Sequence, residues 1–154
     1  MLVIHEVWDH PAEVALYVSQ GLWGDQRGFG PSKGLGYATE ESGLIAGVVY
    51  HNFDPWSKVI EISAFADRQD WLTKSRLRAV FSYPFDQIGT RICVARISEN
   101  NTRTLRIWRA FGADLHRIPD LRADGEAEII AVLHRDKWKQ SKFFKEHRAK
   151  SSPS

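Results

Sequence analysis

The fold is decided by the stretch Arg91-Ile-Cys-Val-Ala-Arg-Ile97, then Asn100-Asn101, then Thr102-Arg-Thr-Leu-Arg-Ile-Trp-Arg-Ala-Phe-Gly112. The first segment is short and apolar, which predicts a strand, and the last predicts a helix that ends at Phe111-Gly112. An asparagine at the end of a strand can cap the following helix or hydrogen-bond a ligand in the crevice beside the strand. Two further strands are predicted at Ala113–Ile118 and Glu126–Leu133.

The segment just upstream carries the complementary half of such a crevice. It predicts a strand at Lys58–Ala66, a polar loop at Asp67–Ser75 and then a helix. A helix N-terminus offers unpaired backbone N–H groups and a positive dipole end, which suit a phosphate group. The two halves together predict a site for a phosphorylated, elongated cofactor.

The N-terminal third completes the order of elements. It predicts a strand at Leu2–Val7, an amphipathic helix at Pro11–Trp23, a glycine-rich loop at Gly24–Gly36 and a hairpin formed by Leu35–Thr39 and Leu44–Phe53. The whole order is β-α-β-β-β-α-β-α-β-β. Hairpin strands followed by strand–helix–strand units predict an α+β or mixed α/β fold, with a mostly antiparallel sheet and helices packed on it.

Composition and charge set limits on the class of protein. The 154 residues are enough for one domain with a real core, and 43% hydrophobic residues argue against disorder. A net charge of +2 is too small to imply a nucleic-acid partner by itself. We expect no membrane span, since no run of eighteen apolar residues exists, and no signal peptide at the N-terminus. Cys93 is the single cysteine, so no internal disulfide is expected, and a cytoplasmic location fits these features.

The C-terminal stretch differs from the rest of the chain. We predict a main domain at residues 1–134 and a basic helix with a frayed tail at residues 135–154. The tail mixes charged and aromatic residues, as nucleic-acid-binding surfaces do. The alternative is a C-terminal helix whose aromatic side chains dock on the domain or on a second subunit, which would give a homodimer. The residues concerned are Lys137, Lys142, Lys145, Arg148, Trp138, Phe143 and Phe144.

The order of elements and the segment from Asn101 to Ala113 resemble the Gcn5-related N-acetyltransferase superfamily. In that family an asparagine after the fifth strand precedes a helix that ends in a Leu-Gly-Phe-like turn, and here Asn101 stands eleven residues before Gly112. The resemblance covers roughly Leu44–Leu133. It implies a twisted sheet of six to seven strands, splayed between strands 4 and 5 and flanked by helices, with acetyl-CoA as co-substrate and no metal.

The resemblance implies cofactor contacts in two regions. The pyrophosphate would lie on the loop before the second helix, and the pantetheine would pair with the edge of the fourth strand. The family loop reads Gln/Arg-x-x-Gly-x-Gly/Ala, whereas this chain has Trp71, Lys74 and Arg76 at those places. Either the charged side chains replace part of the close backbone approach that glycine allows, or the loop no longer binds CoA. The cofactor-binding residues expected are Ala64, Phe65, Ala66, Trp71, Leu72, Thr73, Lys74, Ser75, Arg76, Asn101 and Arg103.

Three residues are candidates for the chemistry. Acetyl transfer needs a neutral amine, and Glu61 on the central strand is the best candidate for the base or water-positioning group. Ser63 shares its face of the strand. Trp108 stands where many family members have a tyrosine that protonates the leaving thiolate, but an indole donates a hydrogen bond without acting as an acid. The structural alternatives are a salt-bridged glutamate at Glu61 and a core tryptophan at Trp108.

The glycine-rich loop is expected to roof the groove of the acceptor. It lacks the Gly-Lys-Ser/Thr ending of a P-loop. Trp23, Phe29, Tyr37 and His51 would line this groove. The six histidines have no metal-ligand spacing among them, so no metal site is expected.

The sequence therefore indicates an acetyl-CoA-dependent N-acetyltransferase that transfers acetyl to a primary amine by direct attack in a ternary complex. A lysine or N-terminal amine of a protein and a small amine are both compatible acceptors. The alternative is a non-catalytic protein of the same fold, of the kind found in phages and mobile elements, with a degenerate CoA site and a basic tail that binds its partner.

Overall fold

A computed structural model describes residues 3–145. The predicted strand start at Leu2, the tail residue Arg148 and the frayed end therefore lie outside the described residues. The chain forms two compact units: the first comprises the chain up to Asp54 together with Ile60–Val80, and the second comprises Pro55–Val59 together with the chain from Phe81 onward.

The first unit is built on four strands in the order β1-β2-β3-β4, and β2 pairs antiparallel with both β1 and β3. Helix α1 begins with Pro11, whose missing N–H costs nothing there, and ends at Gly24, which has φ of 72°. Its residues Val14 and Val18 are fully buried on β2 and β3. The elements are β1 (His5–Val7), α1 (Pro11–Trp23), β2 (Ser32–Thr39), β3 (Gly43–Asp54), β4 (Val59–Ala66) and α2 (Lys74–Ser82).

The second unit has three strands in the order β5-β7-β6, all antiparallel, with Ile92 opposite His134 and Ser98 opposite Glu128. A π-helical segment, Tyr83–Ile88, leads into it. Its core is an aromatic cluster in which Phe81 packs on Trp108, Phe111 and Trp138. The elements are β5 (Ile92–Ser98), α3 (Thr102–Phe111), β6 (Asp114–Ile118), β7 (Glu128–His134) and α4 (Arg135–Gln140).

The predicted order of strands and helices is confirmed, as is the mixed α/β class with a mostly antiparallel, seven-stranded sheet. The predicted loop Gly24–Gly36 was too long, because β2 already begins at Ser32. Gly34 lies within this strand, where an added Cβ would lie 3.0 Å from Val14 Cβ. This glycine therefore allows close packing of α1 and does not mark a turn.

The C-terminal stretch docks through its aromatic residues. Trp138 is 2% exposed, and the Phe143 ring lies 5.3 Å from that of Phe111. Helix α4 ends where Ser141 takes an extended conformation, and residues 142–145 are helical again. Between residues 3 and 145, no helix is both long and apolar enough to cross a membrane.

Candidate active site

Strands β3 and β4 bring a carboxylate, an imidazole and a hydroxyl group together. His51 Nε2 and Ser63 Oγ are hydrogen-bonded at 2.9 Å, and the same nitrogen lies 3.7 Å from Glu61 Oε2. Asn52 Nδ2 donates to Glu61 Oε1 at 3.0 Å. Since side chains alternate along a strand, Glu61 and Ser63 point to the same face of β4. The sequence predicted Glu61 and Ser63, on one face of the strand, for the chemistry and His51 for the acceptor groove, and the structure brings the three side chains together.

The surroundings of His51 keep its imidazole neutral. Its side chain is 6% exposed, and the Phe29 ring lies 4.8 Å from the imidazole ring. Burial lowers the pKa of His51 below its usual value, because the charged form loses hydration, and the Glu61 carboxylate only partly opposes this effect. Glu61 is more accessible, with 17% of its side chain exposed. The arrangement presents a carboxylate to solvent with a neutral histidine behind it.

Two of the predicted groove residues extend this cluster. The Trp23 ring lies 5.1 Å from that of Phe29, which in turn packs on Val14 and Val18. Beside them, one face of α1 and the loop after it line an open cavity of about 500 Å³. Its lining carries no charged side chain and includes Ala12, Ala15, Leu16, Gln26, Phe29 and Ser32.

Tyr37, the other predicted groove residue, lies elsewhere in the first unit. Its ring is 1% exposed and lies 5.2 Å from that of Trp71. The guanidinium of Arg76 lies 5.9 Å above it. Strand alternation explains this position, because the side chain of Tyr37 points away from the face that carries α1. The structure therefore groups Tyr37 with the predicted cofactor loop.

That loop is shaped by its own polar residues. Thr73 Oγ1 accepts from the backbone N–H of Arg76 at 3.2 Å and so caps α2. The Arg76 side chain donates to the Trp71 carbonyl at 3.1 Å, which uses part of its hydrogen-bonding capacity within the loop. Lys74 begins the helix and is exposed, as are Thr73 and Ser75, whereas Leu72 is half-buried. The positive charge expected from the sequence is present at the start of α2.

The end of β4 is held by a contact that the sequence did not indicate. Tyr17 on α1 donates to Asp67 Oδ2 at 2.8 Å and accepts from the Asp67 N–H at 3.1 Å. Phe65 packs edge-on against Tyr17, so its side chain belongs to the core. Ala64 is exposed and Ala66 half-buried, and the proposed pairing with pantetheine would use their backbone groups. From the sequence, a role for Tyr17 could have been suspected only from its position on the apolar face of α1. A role for Asn52 could have been suspected only from its proximity to Glu61.

The second unit holds the remaining predicted site residues. Asn101 is the N-cap of α3, and its Oδ1 accepts from the Thr104 N–H at 3.2 Å. Arg103 is exposed on the first turn of that helix. Trp108 is 8% exposed, and its ring meets those of Phe81 and Phe111 edge-on. Trp108 therefore packs in the core of the second unit, which was the structural alternative to a role in the chemistry.

The described part of the chain contains no group of three or more histidine, cysteine, aspartate or glutamate side chains that could hold a metal ion. Cys93 is buried, and burial raises the pKa of its thiol to about 12. A thiol with such a pKa is not a nucleophile at neutral pH.

Comparison with known proteins gives a likeness in structure only. No protein-family model matches the sequence, and no curated protein matches it. The crystal structure of mutant forms of the spermidine/spermine N-acetyltransferase SpeG from Vibrio cholerae matches with a TM-score of 0.69 at 7% identity, over 91% of this chain and 98% of that chain. A GCN5-related N-acetyltransferase from Brucella melitensis matches with a TM-score of 0.61 at 16% identity, over 79% of this chain and 58% of that chain. The chain has the fold of the Gcn5-related N-acetyltransferases.

Proposed function

We propose that this protein is an acetyl-CoA-dependent N-acetyltransferase and that a primary amine attacks the thioester directly in a ternary complex. The observation that carries the proposal is the Glu61 carboxylate, which accepts a hydrogen bond from Asn52, lies 3.7 Å from His51 Nε2 and is partly open to solvent. The fold supports the proposal, since solved acetyltransferases share it over most of the chain. We propose both that the protein belongs to the Gcn5-related N-acetyltransferase family and that it has this activity.

Glu61 acts as the base in this mechanism. Acetyl-CoA supplies the activated thioester. Glu61 takes the proton that the attacking amine loses, directly or through one water, while the N–C bond forms and the C–S bond breaks. The thiolate of CoA then takes a proton from solvent. His51 packs beside Glu61 as a neutral imidazole, so it does not offset the negative charge of the carboxylate as an imidazolium would.

The proposed CoA contacts come from the two units separately. In the first unit they are the start of α2 with Thr73, Lys74 and Ser75, and the backbone of Ala64–Ala66. Arg76 holds the loop in shape through the Trp71 carbonyl, and this takes over part of the role of the glycines that the family loop has. In the second unit, Asn101 and Arg103 are the proposed contacts.

The acceptor is proposed to be an amine whose body enters beside Trp23 and Phe29. The cavity next to Phe29 has an uncharged lining, so it suits the uncharged part of an acceptor. The solved neighbour from Vibrio cholerae is named for spermidine and spermine, which makes polyamines one of three classes to try. A lysine-containing peptide and a peptide with a free N-terminus are the others.

The first test is the binding of acetyl-CoA, by calorimetry and by the melting temperature. A ligand at about 100 times its dissociation constant stabilises the folded state by about 2.7 kcal/mol. We expect Lys74→Ala to weaken binding, while Lys33→Ala, which removes the same charge from an exposed position on β2, leaves it unchanged. Thiol release with the three acceptor classes follows. Absence of binding at millimolar acetyl-CoA would instead support the non-catalytic alternative.

A further inference from the structure

Helix α3 presents a row of arginines to solvent. Arg103, Arg106 and Arg109 are all exposed, and α3 contains no acidic residue. They recur every three residues, so successive members are about 4.5 Å apart along the helix axis. The opposite side of the helix carries Trp108 and Phe111 and is buried. The charged residues on the exposed side of this helix are therefore all cationic.

These arginines differ from the others in the described part of the chain. Within residues 3–145, the side chains of Arg103, Arg106 and Arg109 make no hydrogen bond or ion pair, and neither does that of Arg135 at the start of α4. Elsewhere arginines are used within the fold: Arg27, Arg68, Arg96, Arg117 and Arg122 form ion pairs, and Arg76 and Arg91 bind backbone carbonyls. The arginines without a structural role thus lie on two helices of the same unit.

Helix α4 continues the cationic surface. The aromatic side chains of α3 and α4 face each other, with Phe111 5.6 Å from Trp138. Lys137 lies at the end of α3, where an added Cβ on Gly112 would be 3.3 Å from the Lys137 Cβ. Lys137, Lys142 and Lys145 are exposed, and Asp136 is the one acidic residue between positions 135 and 145. We call the exposed basic residues of α3 and of positions 137–145 the basic face.

The composition of the basic face selects the chemistry of its partner. Every large exposed hydrophobic residue of the described chain lies outside α3 and α4. The basic face therefore offers no apolar anchor residue that a protein partner could bury. Protein partners commonly bury such anchors, whereas a phosphate backbone needs only charge and donors. The planar guanidinium matches phosphate with two hydrogen bonds. We propose that the basic face binds the phosphate backbone of a nucleic acid without reading its sequence.

The proposal is tested by fluorescence anisotropy with a short random-sequence DNA duplex, titrated with the full chain between about 50 and 200 mM NaCl. The variant is Arg106→Gln with Arg109→Gln. Its matched control is Lys33→Gln with Lys58→Gln, which removes the same charge from exposed positions elsewhere. Melting temperatures establish that both variants are folded.

We expect the affinity of the unaltered chain to fall with salt, with a log–log slope of about −0.9 for each phosphate contacted. The arginine variant should lose about two units of that slope and bind more weakly at low salt, while the lysine control keeps both. Equal behaviour of the two variants, or no binding by the unaltered chain at low salt, overturns the proposal. The proposal is also overturned if polyglutamate displaces the duplex as effectively as unlabelled DNA does, because the basic face would then bind an acidic protein segment.

Discussion

The imidazole of His51 on β3 is hydrogen-bonded to Ser63 on β4 at 2.9 Å, and this contact fixes the side of the ring that meets Glu61. A buried imidazole with one nitrogen between a hydroxyl and a carboxylate has little rotational freedom. Asn52 holds the other carboxylate oxygen. The Asn52 hydrogen bond therefore orients the Glu61 carboxylate and His51 packs beside it, and a base needs a fixed orientation if it is to meet an amine in one geometry.

Glu61→Gln should keep the shape of this cluster and remove the base. We expect kcat/KM to fall by about 10²- to 10⁴-fold, the usual contribution of a general base. The dissociation constant of acetyl-CoA should not change. Thiol release with the best acceptor and calorimetry measure the two quantities. Glu13→Gln, which changes an exposed carboxylate on α1, is the control and should be fully active. Full activity of the Glu61 variant would rule out the proposed mechanism.

His51 should make stability depend on pH. Its pKa is lowered in the folded state, so the unfolded chain binds the proton more readily. The contribution of the neutral imidazole is complete above the unfolded pKa of about 6.5 and is lost as the pH falls below it. The melting temperature of the wild type should therefore fall between pH 7.5 and pH 5 by more than the melting temperature of His51→Gln does. If the melting temperatures of the two proteins fall by the same amount over this pH range, the pKa of His51 is not lowered in the folded state.

The fold was predictable because its signals are local. The apolar period and Pro11 give α1 its observed bounds, and Asn101 and Gly112 cap α3 as their types suggest. Gly34 was assigned to the loop and lies in β2, because glycine can mark either a turn or a close contact between a helix and a strand. Only the position of Val14 above the strand distinguishes the two.

The candidate site was predictable in part, for a different reason. Glu61 and Ser63 share a face by strand alternation, which the sequence shows directly. The approach of His51 depends on the pairing of β3 with β4, and Tyr17 reaches Asp67 across 50 positions of the chain. Tyr37 was placed in the groove on its residue type, yet the alternation within β2 turns it toward Trp71. Contacts between elements carry no local signal.

Tyr17→Phe tests the contact that ties α1 to the end of β4. The variant loses the hydrogen bond donated to Asp67 at 2.8 Å and leaves the Asp67 N–H with one acceptor fewer. We expect the free energy of unfolding to fall by about 1 kcal/mol in urea denaturation. Tyr37→Phe is the matched control, because the Tyr37 hydroxyl reaches Glu6 at the long distance of 3.5 Å. A larger loss in the control than in Tyr17→Phe would contradict this assignment.

Gly21→Ala separates helix propensity from packing. An alanine inside α1 should by propensity stabilise the helix by about 1 kcal/mol. Here, however, the new Cβ would lie 2.2 Å from Phe65 Cδ2, and Phe65 is held in place by Tyr17. We therefore expect a net loss of about 1 to 3 kcal/mol in the free energy of unfolding. Phe65→Leu in the same chain should recover part of that loss, which a double-mutant cycle measures as a favourable coupling. A stabilised Gly21→Ala variant would show that Phe65 does not pack against α1.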